Sequence, residues 1–380
     1  YSQKTATDSV KSTQSYYTAE AGVEDALIRL RNNPQMSSLS YVLNVSSAIA
    51  SVNIMGIVGG SRVIVSEGNY TNIKRKIQTV YSIDSTGVSF NYGAQVGEGG
   101  LTMKNGSRVV GNVFSDGNIS GGSGTIDNNV IVARNGNSIK DVTVKGDALA
   151  YSCLSPATVK GNLTYVTGGT NTCTVLGSTS IQPNEIASQP FPISQSQIND
   201  WKAAATNGGV ITGNVVIGNG ATRSIGPAKI TGDLVVSNNA TLIVTGTFYV
   251  VGNILFDNNS TVKLDSSYGT LSGIVLSDGN ITVKNNSILL GSGQAGSYLL
   301  ILSTSSSGTA ILVDNNATGA IFYTSAGGIE LSNNISAVEI TGYKVKLDNN
   351  ALVQYESGLA NLFFSSGPSG GWKVVSWEEK

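Results

Sequence analysis

The sequence predicts a mostly β protein: a parallel β-solenoid (β-helix) preceded by an N-terminal α-helix and a small strand hairpin unit. Three observations carry this. An asparagine-pair phrase recurs at Asn238-Asn239, Asn258-Asn259, Asn285-Asn286, Asn315-Asn316, Asn333-Asn334 and Asn349-Asn350, with gaps of 20, 27, 30, 18 and 16 residues, close to one solenoid coil with occasional insertions. Between copies the chain alternates apolar and polar residues, as in Thr282-Val283-Lys284 and Val345-Lys346-Leu347, the period of short strands. Glycine numbers 46 and charged residues are only 12%, a composition of many tight turns joined by thin strands.

Paired asparagines suit a solenoid corner. Asn tolerates left-handed backbone angles, and stacked Asn side chains can hydrogen-bond from coil to coil. Asp127-Asn128-Asn129-Val130 reads as an earlier copy of the phrase. A second phrase, Ser115-Asp116-Gly117-Asn118-Ile119, returns as Ser277-Asp278-Gly279-Asn280-Ile281. The irregular spacing leaves open a sandwich in which Asn-Asn marks unrelated hairpin loops.

These signals divide the chain into residues 1–94, a helix plus a small strand unit, and residues 95–380, the solenoid. Within the latter lie a Pro-rich and helical insertion at about 181–209 and an aromatic C-terminal cap at about 361–380.

The first helix is read over residues 9–33. Tyr16, Ala19, Val23, Ala26, Leu27 and Leu30 fall at three- and four-residue steps and form one apolar stripe. Asp25 and Arg29 make an i,i+4 pair, and Asn32-Asn33-Pro34 ends the helix. In residues 37–85, the runs 61–66 and 72–81 alternate and are joined through Glu67-Gly68-Asn69-Tyr70, a plausible hairpin. Lys74-Arg75-Lys76 reads as a solvated strand face, since no aromatic interleaving or further charge supports a nucleic-acid site.

Around the insertion, Pro183, Pro190 and Pro192 mark an extended connection. Ser194-Gln195-Ser196-Gln197 reads as a capping box, and Ile198, Trp201 and Ala205 share one face of a short helix that Asn207-Gly208-Gly209 stops. Trp201 is expected to pack against the solenoid's side. The coils resume at Val210 and run to about Gln354. A solenoid's unpaired last coil needs covering, and the aromatics of Asn361-Leu362-Phe363-Phe364 through Gly367-Pro368-Ser369-Gly370-Gly371-Trp372 to Trp377 are the candidates.

A net charge of −1 offers no electrostatic footprint for nucleic acid, and the absence of His removes the commonest general base and transition-metal ligand. Cys153 and Cys173, 20 residues apart, can sit on adjacent coils and are expected to form a disulfide, although two buried thiols would look the same. No transmembrane run or signal peptide is visible, and a chain that begins at Tyr1 without Met is expected of a processed or trimmed product.

Gln14-Ser15-Tyr16-Tyr17-Thr18-Ala19-Glu20-Ala21-Gly22-Val23-Glu24-Asp25-Ala26-Leu27 resembles the Q-x-x-Y-x-A-E-A-G-x-E-x-A-L stretch of PilX-type minor pilins, over roughly 30 residues. The rest of the chain is similar to solenoid ectodomains that follow such helices in some predicted surface proteins. The resemblance implies a type IV pilus or pseudopilin-like subunit in which Tyr16, Tyr17, Ala19, Glu20, Gly22, Val23, Glu24, Leu27 and Leu30 belong to the assembly helix. It implies other pilin subunits as partners through that helix, docking of the helix on the strand pair, and an extracellular, cell-surface or pilus-associated location. The family's cleavage site, early glutamate and roughly twenty apolar residues are not matched here, so no assembly glutamate is assigned, and membrane contact would come only through a segment absent from this chain. Residues 1–12 are expected to stand clear of the body and 16–30 to be packed.

Two functions compete. One is a structural and adhesive surface subunit, a minor pilin or tip-associated protein, that contacts surface glycans or other polymers through exposed Asn, Thr and Tyr. The other is a secreted right-handed β-helix enzyme acting on polysaccharides. The latter needs clustered carboxylates or a base plus calcium, whereas Asp127, Asp257, Asp314 and Asp348 sit at turns and are replaced by Ser or Lys in other copies. Gly121-Gly122-Ser123-Gly124-Thr125-Ile126-Asp127 brushes a calcium-binding nonapeptide only once, with its Asp one place late. The sequence therefore predicts no catalytic centre, no cofactor and no metal site.

Overall fold

The structure, a computed structural model, describes residues 2–32, 36–56, 61–83, 85–365 and 372–380. Helix α1 spans Ser2–Asn32. It begins well before the expected residue 9, because nothing in Ser2-Gln3-Lys4-Thr5-Ala6-Thr7-Asp8 breaks a helix once the following turns have nucleated it. Asn33 and Pro34, read as its stop, lie outside the described residues, as does Tyr1.

Four antiparallel strands follow: β1 (Leu39–Val45), β2 (Ala48–Ile54), β3 (Ser61–Tyr70) and β4 (Ile73–Ile83). Alternate residues of β2 are buried, from Ala48 to Ile54, so one face of this sheet meets α1 and the other meets solvent. The β3–β4 turn is Thr71-Asn72, not the expected 67–70. Both turn residues have positive φ, 49° and 69°, the two-residue geometry whose twist matches the flanking strands, so Glu67–Tyr70 stays in the ladder.

The fifth strand of this sheet is Trp372–Glu379, antiparallel to β4 with Ile77 opposite Glu379. This corrects the expected aromatic cap. The chain's last strand returns to the N-terminal unit, and Leu362–Ser365 pairs instead with Ser85–Val88. There Phe364 packs on Phe90 and Trp201 against the flank of the solenoid, with centroids 6.3 and 6.0 Å away. Residues 366–371, including Gly367-Pro368-Ser369-Gly370-Gly371, lie outside the described residues.

Residues 94–354 form a parallel β-solenoid, and one of its faces is a sheet of 12 strands that shows the order of the coils. The chain does not climb it from end to end. The strand Arg108–Val110 of the first coil pairs in parallel with Gly124–Ile126 on one side and with Leu352–Gln354, from the last coil, on the other. From this central joint the chain winds outward to Thr179–Gln182. It then travels along the side of the stack through residues 183–209 and resumes at Val210–Ile211 at the opposite end. The remaining coils wind back until Glu339–Leu347 lies on Ala94–Lys104.

The last coil in sequence is therefore interior and needs no cover. The ends of the stack are the rungs around Thr179–Gln182 and Thr222–Ile225, which are largely polar and exposed, as a terminal coil must be to remain soluble. One apolar core fills the whole stack across the joint, from Val159 and Leu163 through Val109, Leu101, Val345 and Val353 to Ile217 and Ile225.

Residues 183–209 form a strap. Ile186 joins Phe114, Ala133 and Val166, while Ile193, Ile198, Trp201 and Ala205 join Ile274, Leu300, Tyr323 and Phe364. Helix α2 (Gln195–Asn207) ends the strap and carries the capping box at Ser194 and Gln197, and its buried residues are Ile198, Trp201 and Ala205. Cys153 and Cys173 are joined by a disulfide between neighbouring coils, with Cα atoms 5.5 Å apart.

Candidate functional site

Two features carry the residues singled out by sequence: the docked helix and the asparagine corner. Along α1, Ala19, Gly22, Val23, Ala26 and Leu30 are buried against the sheet. They are mostly small because helix and sheet approach to backbone contact. A Cβ on Gly22 would lie 2.3 Å from Ser66 Oγ and 2.8 Å from Val52 Cγ2. One on Gly68 of β3 would lie 2.1 Å from the Ser15 carbonyl oxygen and 2.5 Å from the Ala19 nitrogen. A glycine on each surface is what permits this approach.

Ser15, fully buried, fastens the upper end. Its hydroxyl donates to the Ile73 carbonyl at 2.6 Å and accepts from the Tyr70 amide at 3.2 Å, tying α1 to both sides of the β3–β4 turn. Nearby, Arg75 Nε donates to Ser12 Oγ at 2.7 Å and ion-pairs with Glu379, while Lys74 pairs with Glu67. At the lower end Arg29 donates to Asp25 at 2.6 Å, Tyr41 donates to the same oxygen, and the guanidinium lies 4.3 Å over the Tyr41 ring. Burial raises the Asp25 carboxyl, but the bonds from Arg29 and Tyr41 outweigh it and hold the group below its ordinary value.

The residues assigned to the helix thus divide. Ala19, Gly22, Val23 and Leu30 hold it to its own sheet, Tyr16, Glu20 and Leu27 line the edges half-buried, and Tyr17 and Glu24 face outward. Val10, Tyr17 and Ile28 are outward apolar residues, these three being 60–62% exposed; spacings of seven and eleven residues place them on one helix face, which also carries Gln14 and Glu24. Residues 4–10 are exposed, and contact with the body begins around Lys11 and Ser12. Among the described residues no helix is long and apolar enough to cross a membrane.

At the corner, all twelve asparagines from Asn238 to Asn350 have φ between 47° and 61°. The second Asn of each pair, from Asn239 to Asn350, donates its amide N–H to a carbonyl of the neighbouring coil at 2.9–3.0 Å. Side-chain amides add a ladder: Asn258 to Asn238, Asn286 to Asn259, Asn315 to Asn285, Asn349 to Asn333 and Asn350 to Asn334, at 2.9–3.2 Å. Asp257, Asp314 and Asp348 take part, each accepting from the amide of the following Asn and from an Asn side chain one coil away. These carboxylates are turn-forming acceptors.

Asn128 and Asn129 do not belong to this corner, since neither has positive φ. Asn129 serves a second ladder, in which Asn112, Asn129, Asp147 and Asn162, and separately Asn214, Asp233, Asn253 and Asn280, each accept through Oδ1 from the next coil. The signal for it was a Gly-Asn or Gly-Asp pair before an aliphatic residue, as in Gly213-Asn214-Val215 and Gly252-Asn253-Ile254. Two corner members also escaped the phrase: Asn219-Gly220 and Asn105-Gly106 adopt the same left-handed pair, with Gly replacing the second Asn. Asp127 sits between Arg108 and Lys145 as an ion pair, and among the described residues no group of three or more acidic or Cys side chains is placed to hold a metal ion.

The chain matches no family model and no curated protein sequence. Among solved structures it is similar to the competence-associated pilin ComZ from Thermus thermophilus, at 11% identity over 98% of each chain with a TM-score of 0.30.

Proposed function

We propose that this chain is an extracellular, pilus-type subunit in which α1 packs among the helices of neighbouring subunits and the solenoid is displayed outward for contact with a surface or polymer. The observation that carries this reading is the double-faced helix. Its inner face is consumed by its own sheet from Ser15 to Leu30, while residues 4–10 are exposed and the outward apolar side chains of Val10, Tyr17 and Ile28 lack cover in the single chain. Exposed apolar side chains aligned on one face of such a helix suit helix–helix packing between subunits. In this reading the subunit is a minor or tip-associated pilin of the kind the Gln14–Leu27 stretch resembles, and the solenoid is a scaffold, not a catalyst. The use of Asp257, Asp314 and Asp348 as turn acceptors supports that part.

The test compares sheared surface filaments from producing cells that carry wild-type protein or Val10→Asp with Tyr17→Asp. We expect wild-type protein in the filament fraction and the variant absent from it, while the purified variant melts as wild type does because both side chains are exposed. Equal recovery of the variant from filaments, or wild-type protein confined to the filament-free supernatant, overturns the proposal.

A further inference from the structure

The phrase Ser-Asp-Gly-Asn-Ile occurs at 115–119 and at 277–281, in the same position of two coils. Its two aspartates are treated differently. The carboxylate of Asp278 is saturated, accepting from Lys202, from Tyr249 and, at 2.6 Å, from Thr304. Asp116 is more buried, at 9% exposure, and its Oδ1 has no hydrogen-bond donor; Arg134 Nε stands 4.0 Å away. A buried carboxylate oxygen without a donor is costly, and the Asp116 side chain, 11% exposed, borders open space.

That space is a cavity of ≈ 190 Å³ between the solenoid flank and the strap. A register break builds it. Where the last coil meets the first, Gly342 lies opposite Val96 and Lys344 opposite Gly100, so Tyr343 alone faces Gly97-Glu98-Gly99. Bulges of this kind re-aim side chains and interrupt pairing, and here Glu98 and Tyr343 line the cavity. The glycines are tightly seated: a Cβ on Gly99 would lie 2.7 Å from that of Lys344.

The strap supplies Gln189 and Phe191 and is pinned over the break by Gln95 Nε2 donating to the Pro190 carbonyl at 2.9 Å and Tyr92 donating to Gln189 at 2.8 Å. Arg134, at φ 68°, donates to Ser188 at 2.8 Å and ion-pairs with Glu98 at 2.6 Å. A non-glycine residue in that conformation is strained and recurs at ligand sites.

We propose that this cavity is a binding site for one neutral pyranose unit of a glycan, with Asp116 accepting ring hydroxyls and Phe191 and Tyr343 flanking an apolar ring face. A sugar offers groups the walls can use: hydroxyl donors for the part of the Asp116 side chain that borders the cavity, groups that both donate and accept for the Arg134–Glu98 pair, and a C–H face for the aromatic rings. The cavity, at ≈ 190 Å³, is on the scale of a single sugar ring and not of a chain. Arg134 neutralises one carboxylate, and burial raises the Asp116 carboxyl against the pull of Ser188 and Arg134, so the site makes no strong demand for a cationic ligand. Asp278, by contrast, carries its own internal cation in Lys202 and serves only to dock α2. The assignment rests on the display reading for its biological setting alone, and loss of the pocket leaves filament incorporation unaffected.

The test is saturation-transfer NMR on the purified full chain with D-glucose, D-galactose, D-mannose and N-acetyl-D-glucosamine as probes. We expect transfer to the ring protons of at least one sugar, reduced at least fivefold by Asp116→Asn and by Tyr343→Ala, and unchanged by Ser180→Ala in the exposed strand Thr179–Gln182 at the end of the stack. Tyr343 is 44% exposed, so its variant keeps the test informative even where Asp116→Asn disturbs the fold. No transfer from any of the four sugars overturns the proposal, as does transfer that survives in Tyr343→Ala or is lost only in Ser180→Ala.

Discussion

The side-chain amide of Asn105 donates to the carboxylate of Asp348 at 2.7 Å, across 243 residues of sequence. This contact lies at the joint where the first coil meets the last. Beneath it Leu101 faces Val345 and Val109 faces Val353, all buried. The two halves of the solenoid therefore share one core and are expected to unfold together. Leu101→Ala should cost about 2–5 kcal/mol, and urea unfolding followed by circular dichroism and by tryptophan fluorescence should give one coincident transition. Two separated transitions in the wild-type chain would show that the joint does not couple the halves.

The corner asparagines should be replaceable by glycine and not by branched residues. Asn286 has φ 61° and its own amide carries a bond to the Asn315 carbonyl at 2.9 Å. Asn286→Gly keeps the left-handed backbone and loses only the two exposed side-chain links, to Asn259 and from Asn316, so a change of less than about 1 kcal/mol is expected. Asn286→Val forces a β-branched residue into that region, at about 1–3 kcal/mol. Chemical denaturation of the two variants checks the ordering.

Helix docking should be sensitive at its glycines and indifferent at its tip. Gly68→Ala places a methyl group within 2.1 Å of the Ser15 carbonyl oxygen, so α1 must shift, at a cost of about 1–3 kcal/mol. Val23→Asp buries an unpaired carboxylate and should cost several times RT, about 3 kcal/mol or more. Lys4→Asp, on an exposed residue, should stay within about 0.5 kcal/mol. Melting temperatures of the three variants give the comparison.

Glu339 should make stability fall with rising pH. It is fully buried, and burial holds its carboxyl well above the ordinary 4.5 against a hydrogen bond from Thr341. With its folded value raised, the folded state keeps a proton that the unfolded chain releases. Its contribution is complete below about pH 4.5 and declines as pH climbs toward the raised folded value. Urea stability measured from pH 4 to 8 should lose this downward slope in Glu339→Gln, and an unchanged slope in that variant would assign it to other groups.

The sequence by itself determined what depends on neighbours a few residues apart. Left-handed angles at the Asn pairs, the short alternating strands, the inward face of α1 and the capping box at Ser194 follow from local sterics, side-chain alternation and hydrogen bonds within one turn. Only the tertiary structure decided which coil lies on which. Every rung offers its neighbour the same row of amide and carbonyl groups and the same aliphatic interior, so a strand such as Arg108–Val110 carries nothing local that prefers Leu352–Gln354 as its partner. That choice arises from closing the stack through the strap and from returning Trp372–Glu379 to β4. The cavity at Asp116 has the same origin. It exists because two coils distant in sequence meet out of register beneath the strap, whereas the same five-residue phrase at Asp278 meets Lys202 and closes.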